Sequence, residues 1–151
     1  MVKIKVLKKP NAAALKAVNR MMAQMSLSPT PAKPTSPKLF LEMLSQKNYS
    51  FLLAEADLTS GKDIVGILIL YFVRVPSGPM AILEDLVIDE KYRGWGVGAL
   101  LVKEAIEMAK KRKARHISLR TNPKRIEANK MYLSMGFHKM ETNFYRINLF
   151  K

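Results

Sequence analysis

The chain contains no cysteine. That absence removes disulfides, thiolate metal ligands and a cysteine nucleophile together, and it points to a reducing, cytoplasmic setting. Histidine is scarce too: His116 and His138 stand alone, too few for a convincing zinc site, so no metal is expected. Long apolar runs are missing. The longest, Ile64 to Val73, is interrupted by Gly66 and is far shorter than a bilayer span, so no membrane partner is expected. The first ten residues alternate lysine with apolar side chains, whereas a signal peptide follows its charged start with an unbroken apolar stretch. There is no internal repeat and no low-complexity tract. Acidic residues are few, 12 Asp+Glu against 26 Lys+Arg, for a formal net charge of +14.

What is present reads as one globular domain. At 151 residues, 48% hydrophobic and 25% charged, the chain is long enough for a single sizeable core and too apolar for wholesale disorder. The positive charge is uneven: residues 91–151 hold 15 Lys+Arg against 4 Asp+Glu, while residues 1–90 hold 11 against 8. An anionic partner therefore belongs to the second half, and nucleic acid and a phosphorylated cofactor are the two readings.

Alternation predicts a strand over Val2 to Leu7, and Asn11 is placed to cap a helix from Ala12 to Met25. Ser26 to Pro37 carries four prolines and reads as a surface loop; Ser36-Pro37 then starts a second helix to about Ser45. Tyr49 to Ala56, Ile64 to Val75 and Met80 to Asp89 read as three strands joined by tight turns, an antiparallel meander. Gly98 to Lys113 is helical in period, and Arg115 to Thr121 is a strand. Asn122-Pro123 is placed to cap a helix to Met135, Gly136 ends it, and Phe137 to Met140 with Asn143 to Phe150 look like a closing hairpin. The sum is a mixed α/β fold: a central, mostly antiparallel sheet of 6–7 strands flanked by about four helices.

Directly after the third meander strand comes Arg93-Gly94-Trp95-Gly96-Val97-Gly98, and then a helix. Glycines admit backbone angles closed to other residues and let a ligand approach the main chain. The helix behind them starts with unpaired N–H groups and the positive end of its dipole, and Arg93 adds charge. A diphosphate suits that arrangement. The P-loop pattern is excluded, because no Lys-Ser or Lys-Thr follows the glycines. A dinucleotide fingerprint fits Gly94, Gly96 and Ala99 formally, but the next strand ends Ser118-Leu119-Arg120-Thr121 with no acid for a ribose.

Two separated motifs carry a family resemblance. Arg93, Gly96 and Gly98 match Arg/Gln-x-x-Gly-x-Gly/Ala, and Ala128-x-x-Met131-Tyr132-x-x-x-Gly136-Phe137 follows in the correct order. Together they resemble the GNAT superfamily of N-acetyltransferases, closely over residues 80–140 and only by layout over the first 60. The family often has Asn three residues before that Ala, where this chain has Arg125; a branch with Pro-x-Arg-x-x-Ala-Asn is nearer, matched by Pro123, Arg125, Ala128 and Asn129.

The resemblance implies one N-acetyltransferase domain over residues 1–151, with an acetyl-CoA-binding core at 80–140 and acceptor-side helices and loop at 10–48. It implies acetyl-CoA as cosubstrate and direct acetyl transfer to a primary amine, a small molecule or a protein amino group. Backbone groups of Leu86, Val87 and Ile88 would bind the pantetheine arm like an added strand. Arg93, Gly94, Trp95, Gly96, Val97 and Gly98 would take the diphosphate, with Asn129 near the cofactor and Arg125, Lys124 or Lys130 reaching its outer phosphate. Tyr132 is the candidate acid for the leaving thiolate; a core tyrosine with an outward hydroxyl is the plainer reading.

Glu84 and Asp85 interrupt a strand that otherwise reads as central, where carboxylates are costly unless paired or facing a wet cleft. Glu84 is the candidate base, through water, and Asp85 the candidate anchor for the substrate amine; a salt bridge to a Lys or Arg is the plainer reading. Successive strand residues point to opposite faces, so both acids reach one face only across a bulge. A basic RNA- or ribosome-binding module ranks second, since no recognised RNA signature with stacking aromatics is present. A CoA-binding protein without turnover is a third reading. A homodimer stays open on the sequence, and the acceptor is not encoded in any readable motif.

Overall fold

A computed structural model describes residues 1–25 and 33–150; most of the proline-rich loop, residues 26–32, lies outside the described residues. The chain forms two compact units, Met1–Arg120 and Thr121–Lys151. In the first, the alternating N-terminal segment is strand β1 (Val2–Leu7), paired antiparallel to β2 (Tyr49–Leu58). β2, β3 (Gly61–Val75) and β4 (Gly78–Ile88) make the expected meander, turning tightly at Leu58/Gly61 and Val75/Gly78. β5 (Ile117–Leu119) lies parallel to β4 and completes a mixed sheet of order β1-β2-β3-β4-β5.

Helix α1 (Ala12–Met25) is capped as anticipated, Asn11 Oδ1 accepting from the Ala14 amide at 2.8 Å. In α2 (Pro37–Leu44), Ser36 Oγ accepts from the Leu39 amide at 3.1 Å and Pro37 occupies the first turn, where its missing N–H costs nothing. These two helices cover one face of the sheet. Ala14, Ala17, Val18 and Met21 of α1 and Phe40 of α2 form a core with Phe51, Leu53, Ile67, Ile69 and Val87. Phe40 and Phe51 meet edge to face at 5.5 Å, both almost wholly buried, and burial of each such side chain stabilises the fold by about 1.5–3 kcal/mol.

Helix α3 (Val97–Lys111) packs on the opposite face, which follows from the alternation that turns Ile67 and Ile69 toward α1 and Gly66 the other way. It buries Val97, Leu101, Val102, Ala105 and Ala109. Gly66 permits the approach: a Cβ there would stand 2.8 Å from Ile88 Cδ1, 3.1 Å from Leu101 Cδ1 and 3.2 Å from Val97 Cγ1. A side chain at residue 66 thus competes with the seating of α3.

In the second unit, α4 (Ile126–Ser134) starts later than Asn122-Pro123 predicts. Asn122 caps a preceding turn instead, its Oδ1 accepting from the Lys124 amide at 2.8 Å and its carbonyl from the Arg125 amide at 3.0 Å. The sheet has five strands among the described residues, not 6–7, and the difference is the closing hairpin. Residues 137–150 form no ladder. From Met140 onward their apolar side chains, among them Phe144, Tyr145, Ile147 and Phe150, are exposed, so their β-branched and aromatic content does not report a buried face. β5 is likewise shorter than Arg115 to Thr121, because only Ile117–Leu119 find ladder partners on β4.

Gly66→Ala should lower stability by about 1–3 kcal/mol through overpacking under α3, read as a fall in Tm. A variant melting with the wild type would show that α3 does not depend on that close approach.

Candidate active site

The path from β4 into α3 is fixed by local chemistry. Asp89 ends the strand, its amide donating to the Val65 carbonyl at 3.0 Å, and its side chain caps a 3-10 turn at Glu90–Tyr92 by accepting from the Lys91 amide at 3.2 Å. Arg93 Nε donates back to the Ile88 carbonyl at 3.3 Å. Gly94 and Gly96 then take φ of +81° and +76°, angles that strain any residue with a Cβ, and no atom stands within 4 Å of where that Cβ would be. The space over the turn is open on its glycine side.

Gly96 is the N-cap position of α3 and offers no side chain to it. The first bond of the helix runs from the Leu100 amide to the Gly96 carbonyl at 3.1 Å, so the amides of Val97, Gly98 and Ala99 precede the intrahelical ladder. Unpaired amides, a positive dipole end and two open glycines make a cradle chemically suited to an anion. The exposed side chain of Trp95 stands edge-on to Tyr92, ring centroids 5.4 Å apart.

Upstream, β4 is open along one edge. β5 ends at Leu119, opposite Leu83, so residues 84–88 of β4 have no ladder partner on that side among the described residues. The backbone of Leu86, Val87 and Ile88 lies in this unpaired stretch, which leads straight into the cradle. A bulge falls in the same place. Ile67 pairs with Val87 and Ile69 with Glu84, so Asp85 and Leu86 stand opposite the single residue Leu68. Asp85 adopts φ +47°, a left-handed angle that Asp tolerates better than most residues but that still stores strain of about 1 kcal/mol.

Carboxylates and tyrosines gather around the bulge. Tyr49 and Tyr71 are paired across β2 and β3, with rings nearly parallel and centroids 6.2 Å apart. Burial, with Asp85, Tyr71 and Glu84 nearby, pushes the Tyr49 hydroxyl up to about 12. Burial first, and then the adjacent Glu84, raises the Asp85 carboxyl above its ordinary value. Glu84 accepts from Arg120 Nη2 at 2.7 Å, and that bond raises the arginine further. Tyr49, Tyr71 and Arg120 were not singled out by sequence. Each belongs to a strand or strand end with no motif around it, and only the pairing register brings them to Glu84 and Asp85.

In the second unit, Tyr132 is almost fully buried and packs edge-on against Phe137 at 5.6 Å. Burial raises its hydroxyl to about 12, with Arg125 opposing. The plainer reading of Tyr132 placed its hydroxyl outward on a core tyrosine; the buried ring is what the structure shows. Asn129 Nδ2 donates to the carbonyls of Asn122 at 3.0 Å and Arg125 at 2.8 Å, which ties the turn before α4 to the helix.

A sequence model of the Acetyltransferase (GNAT) family matches residues 18–137. The chain belongs to that family, whose members are acetyltransferases that use acetyl-CoA as donor. Compared with curated proteins by sequence, it has no significant match. Among solved structures it is similar to a transcriptional regulator from Bacillus halodurans, at 27% identity and TM-score 0.80 over 99% of this chain and 100% of that one. It is also similar in fold to a ribosomal-protein-alanine N-acetyltransferase from Brucella melitensis biovar Abortus, at 19% identity and TM-score 0.81 over 100% and 99%. An aminoglycoside acetyltransferase from an uncultured soil metagenomic sample shares the fold at 18% identity and TM-score 0.80 over 99% and 97%. Among the described residues no group of acidic or histidine side chains is arranged to hold a metal ion, and no helix is long and apolar enough to cross a membrane.

The raised Asp85 carboxyl has a consequence for stability. Its folded pKa exceeds the unfolded one, so ionising it opposes folding: stability falls as pH rises from the unfolded value through the folded value, and the cost persists above both. Asp85→Asn should therefore raise the Tm at neutral pH, and the pH-dependent part of that gain should vanish below the unfolded carboxyl pKa. A gain that does not change with pH would trace to the backbone angle alone, and a loss would contradict the burial argument.

Proposed function

We propose that the protein transfers the acetyl group of acetyl-CoA directly to a primary amine presented at the Glu84–Asp85 bulge. One observation carries this reading: the free edge of β4 from Glu84 to Ile88 runs without interruption into the uncapped head of α3. An extended amide-bearing arm fits the first, by strand addition to Leu86, Val87 and Ile88, and a diphosphate fits the second. Arg93, Gly94, Trp95, Gly96, Val97 and Gly98 form the diphosphate turn, and Arg125 and Asn129 are further candidates for the cofactor. The chain is a single acetyltransferase domain in function, residues 80–140 serving the donor and residues 10–48 the acceptor.

Acetylating an amine requires removing a proton from an ammonium of pKa about 10, attack of the free amine on the thioester carbonyl carbon, and cleavage of the carbon–sulfur bond. The leaving thiolate takes up one proton. We assign base and anchor in the reverse of the order expected from sequence. Glu84 is committed to Arg120 at 2.7 Å, whereas Asp85 has no such partner among the described residues and its affinity for a proton is already raised. Asp85 is the base, and Glu84 with Arg120 orients the acceptor. Tyr132 is the acid, acting as hydrogen-bond donor to the leaving thiolate: burial raises its hydroxyl to about 12, so it keeps its proton at neutral pH. With Glu84 paired to Arg120, the carboxylate of Asp85 and the stacked Tyr49 and Tyr71 supply the remaining attraction for a cation, so the acceptor carries positive charge.

Coenzyme A and acetyl-CoA should raise the Tm, and NAD should not, since a ligand bound only by the folded state stabilises it. In turnover with a panel of amines, cationic acceptors should exceed phosphorylated ones. Asp85→Asn and Tyr132→Phe should each lower kcat by ~10²–10⁴, while Glu84→Gln should act mainly on acceptor KM. Turnover that survives in Asp85→Asn and collapses in Glu84→Gln would restore the original assignment. No stabilisation by coenzyme A would remove the enzymatic reading of the turn.

A further inference from the structure

The approach to the diphosphate turn is held from outside the motif. On α1, Ala14, Ala17, Val18 and Met21 face the core, which leaves Arg20 and Gln24, four residues apart, together on the helix flank. Arg20 makes three contacts there. Its Nε lies 2.8 Å from Asp89 Oδ2, and its Nη2 donates to the Ile64 carbonyl at 2.8 Å and to Asp63 Oδ1 at 3.3 Å. Gln24 Oε1 accepts from the Glu90 amide at 2.9 Å.

Asp89 is the one buried acid among the described residues, its side chain only 4% exposed. It is divided between two tasks. One oxygen caps the turn through the Lys91 amide, and the other takes the guanidinium. The two amides that follow Asp89 are thus satisfied by side chains, Glu90 by Gln24 on α1 and Lys91 by an aspartate that α1 neutralises. Without Arg20, a buried carboxylate would stand without its charge partner and draw in water, and its hold on the turn would weaken. A lysine could reach the carboxylate but could not also span to the Ile64 carbonyl with the fixed fork of a guanidinium.

We propose that Arg20, seconded by Gln24, is a positioning residue for the donor: through Asp89 it sets the direction in which the chain leaves β4, and so the placement of Gly94, Gly96 and the first amides of α3. This rests on the proposed binding of the diphosphate at that turn. Arg20 itself touches neither donor nor acceptor. Since α1 also carries the acceptor-side core, the same pair of side chains ties the helix of one substrate to the turn of the other.

The test compares two ligands by calorimetry: coenzyme A, and pantetheine, which has the same thiol arm without the diphosphate. Arg20→Ala should weaken coenzyme A roughly tenfold to a hundredfold, as expected when binding groups shift by about 1 Å, and leave pantetheine within about threefold of wild type. Arg20→Lys should recover part of the loss, and Gln24→Ala should show a smaller loss of the same selectivity. Equal losses for both ligands, or coenzyme A binding to a folded Arg20→Ala as to wild type, would overturn the assignment. Should Arg20→Ala fail to fold, Arg20→Lys and Gln24→Ala decide it by the same ratio. Absence of coenzyme A binding to the wild type would instead reject the reading of the turn itself.

Discussion

Three amides at the head of α3 lie ahead of its hydrogen-bond ladder, and no side chain of Gly96 caps them. An uncapped helix start is an energetic deficit in isolation, since a capping side chain is worth about 1 kcal/mol. Here the deficit leaves the helix start available to an anion, because a cap would occupy the amides that a diphosphate would use. Much of the first unit serves to keep that start open. Gly66 lets α3 sit close to the sheet, Gly94 and Gly96 bend the chain at angles that keep side chains out of the cradle, and Asp89 fixes the exit from β4.

The second constraint is the interruption of β4. A strand with partners on both sides has no backbone to offer, whereas β4 loses its β5 partner at Leu83 and continues to Ile88. The bulge at Asp85–Leu86 shifts the register by one residue, so Glu84 and Val87, three apart, both pair toward the α1-covered face. Without it the side-chain alternation would send one of the two acids away from Tyr49 and Tyr71. The left-handed angle at Asp85 is the local cost of this arrangement, borne by a residue with a raised carboxyl pKa.

Legibility in the sequence followed the range of the interactions. Helix caps and tight turns depend on residues a few positions apart, so Asn11, Ser36-Pro37 and the meander turns were readable. The glycine turn and the Ala128–Phe137 motif were readable for the same reason, and the family match over residues 18–137 agrees with them. The acids at 84 and 85 stood out because charge in a central strand needs a reason. What they contact did not, since Arg120 is 36 positions from Glu84 and reaches it only through the parallel pairing of β5. Arg20 was hidden in the same way, 69 positions from Asp89 in sequence. The closing hairpin failed for the opposite reason: alternation and aromatic content in residues 137–150 imitate a strand, but no ladder forms there and the side chains from Met140 onward stay exposed.

The central claim is that backbone amides at the start of α3 hold the diphosphate of the donor. Amide proton–nitrogen NMR of the labelled protein tests it directly, because an amide that takes up a hydrogen bond to phosphate shifts strongly and one that does not stays put. On addition of coenzyme A, the resonances of Val97, Gly98 and Ala99 should move most in the first unit. Saturable binding that leaves those three amides unmoved would contradict the account.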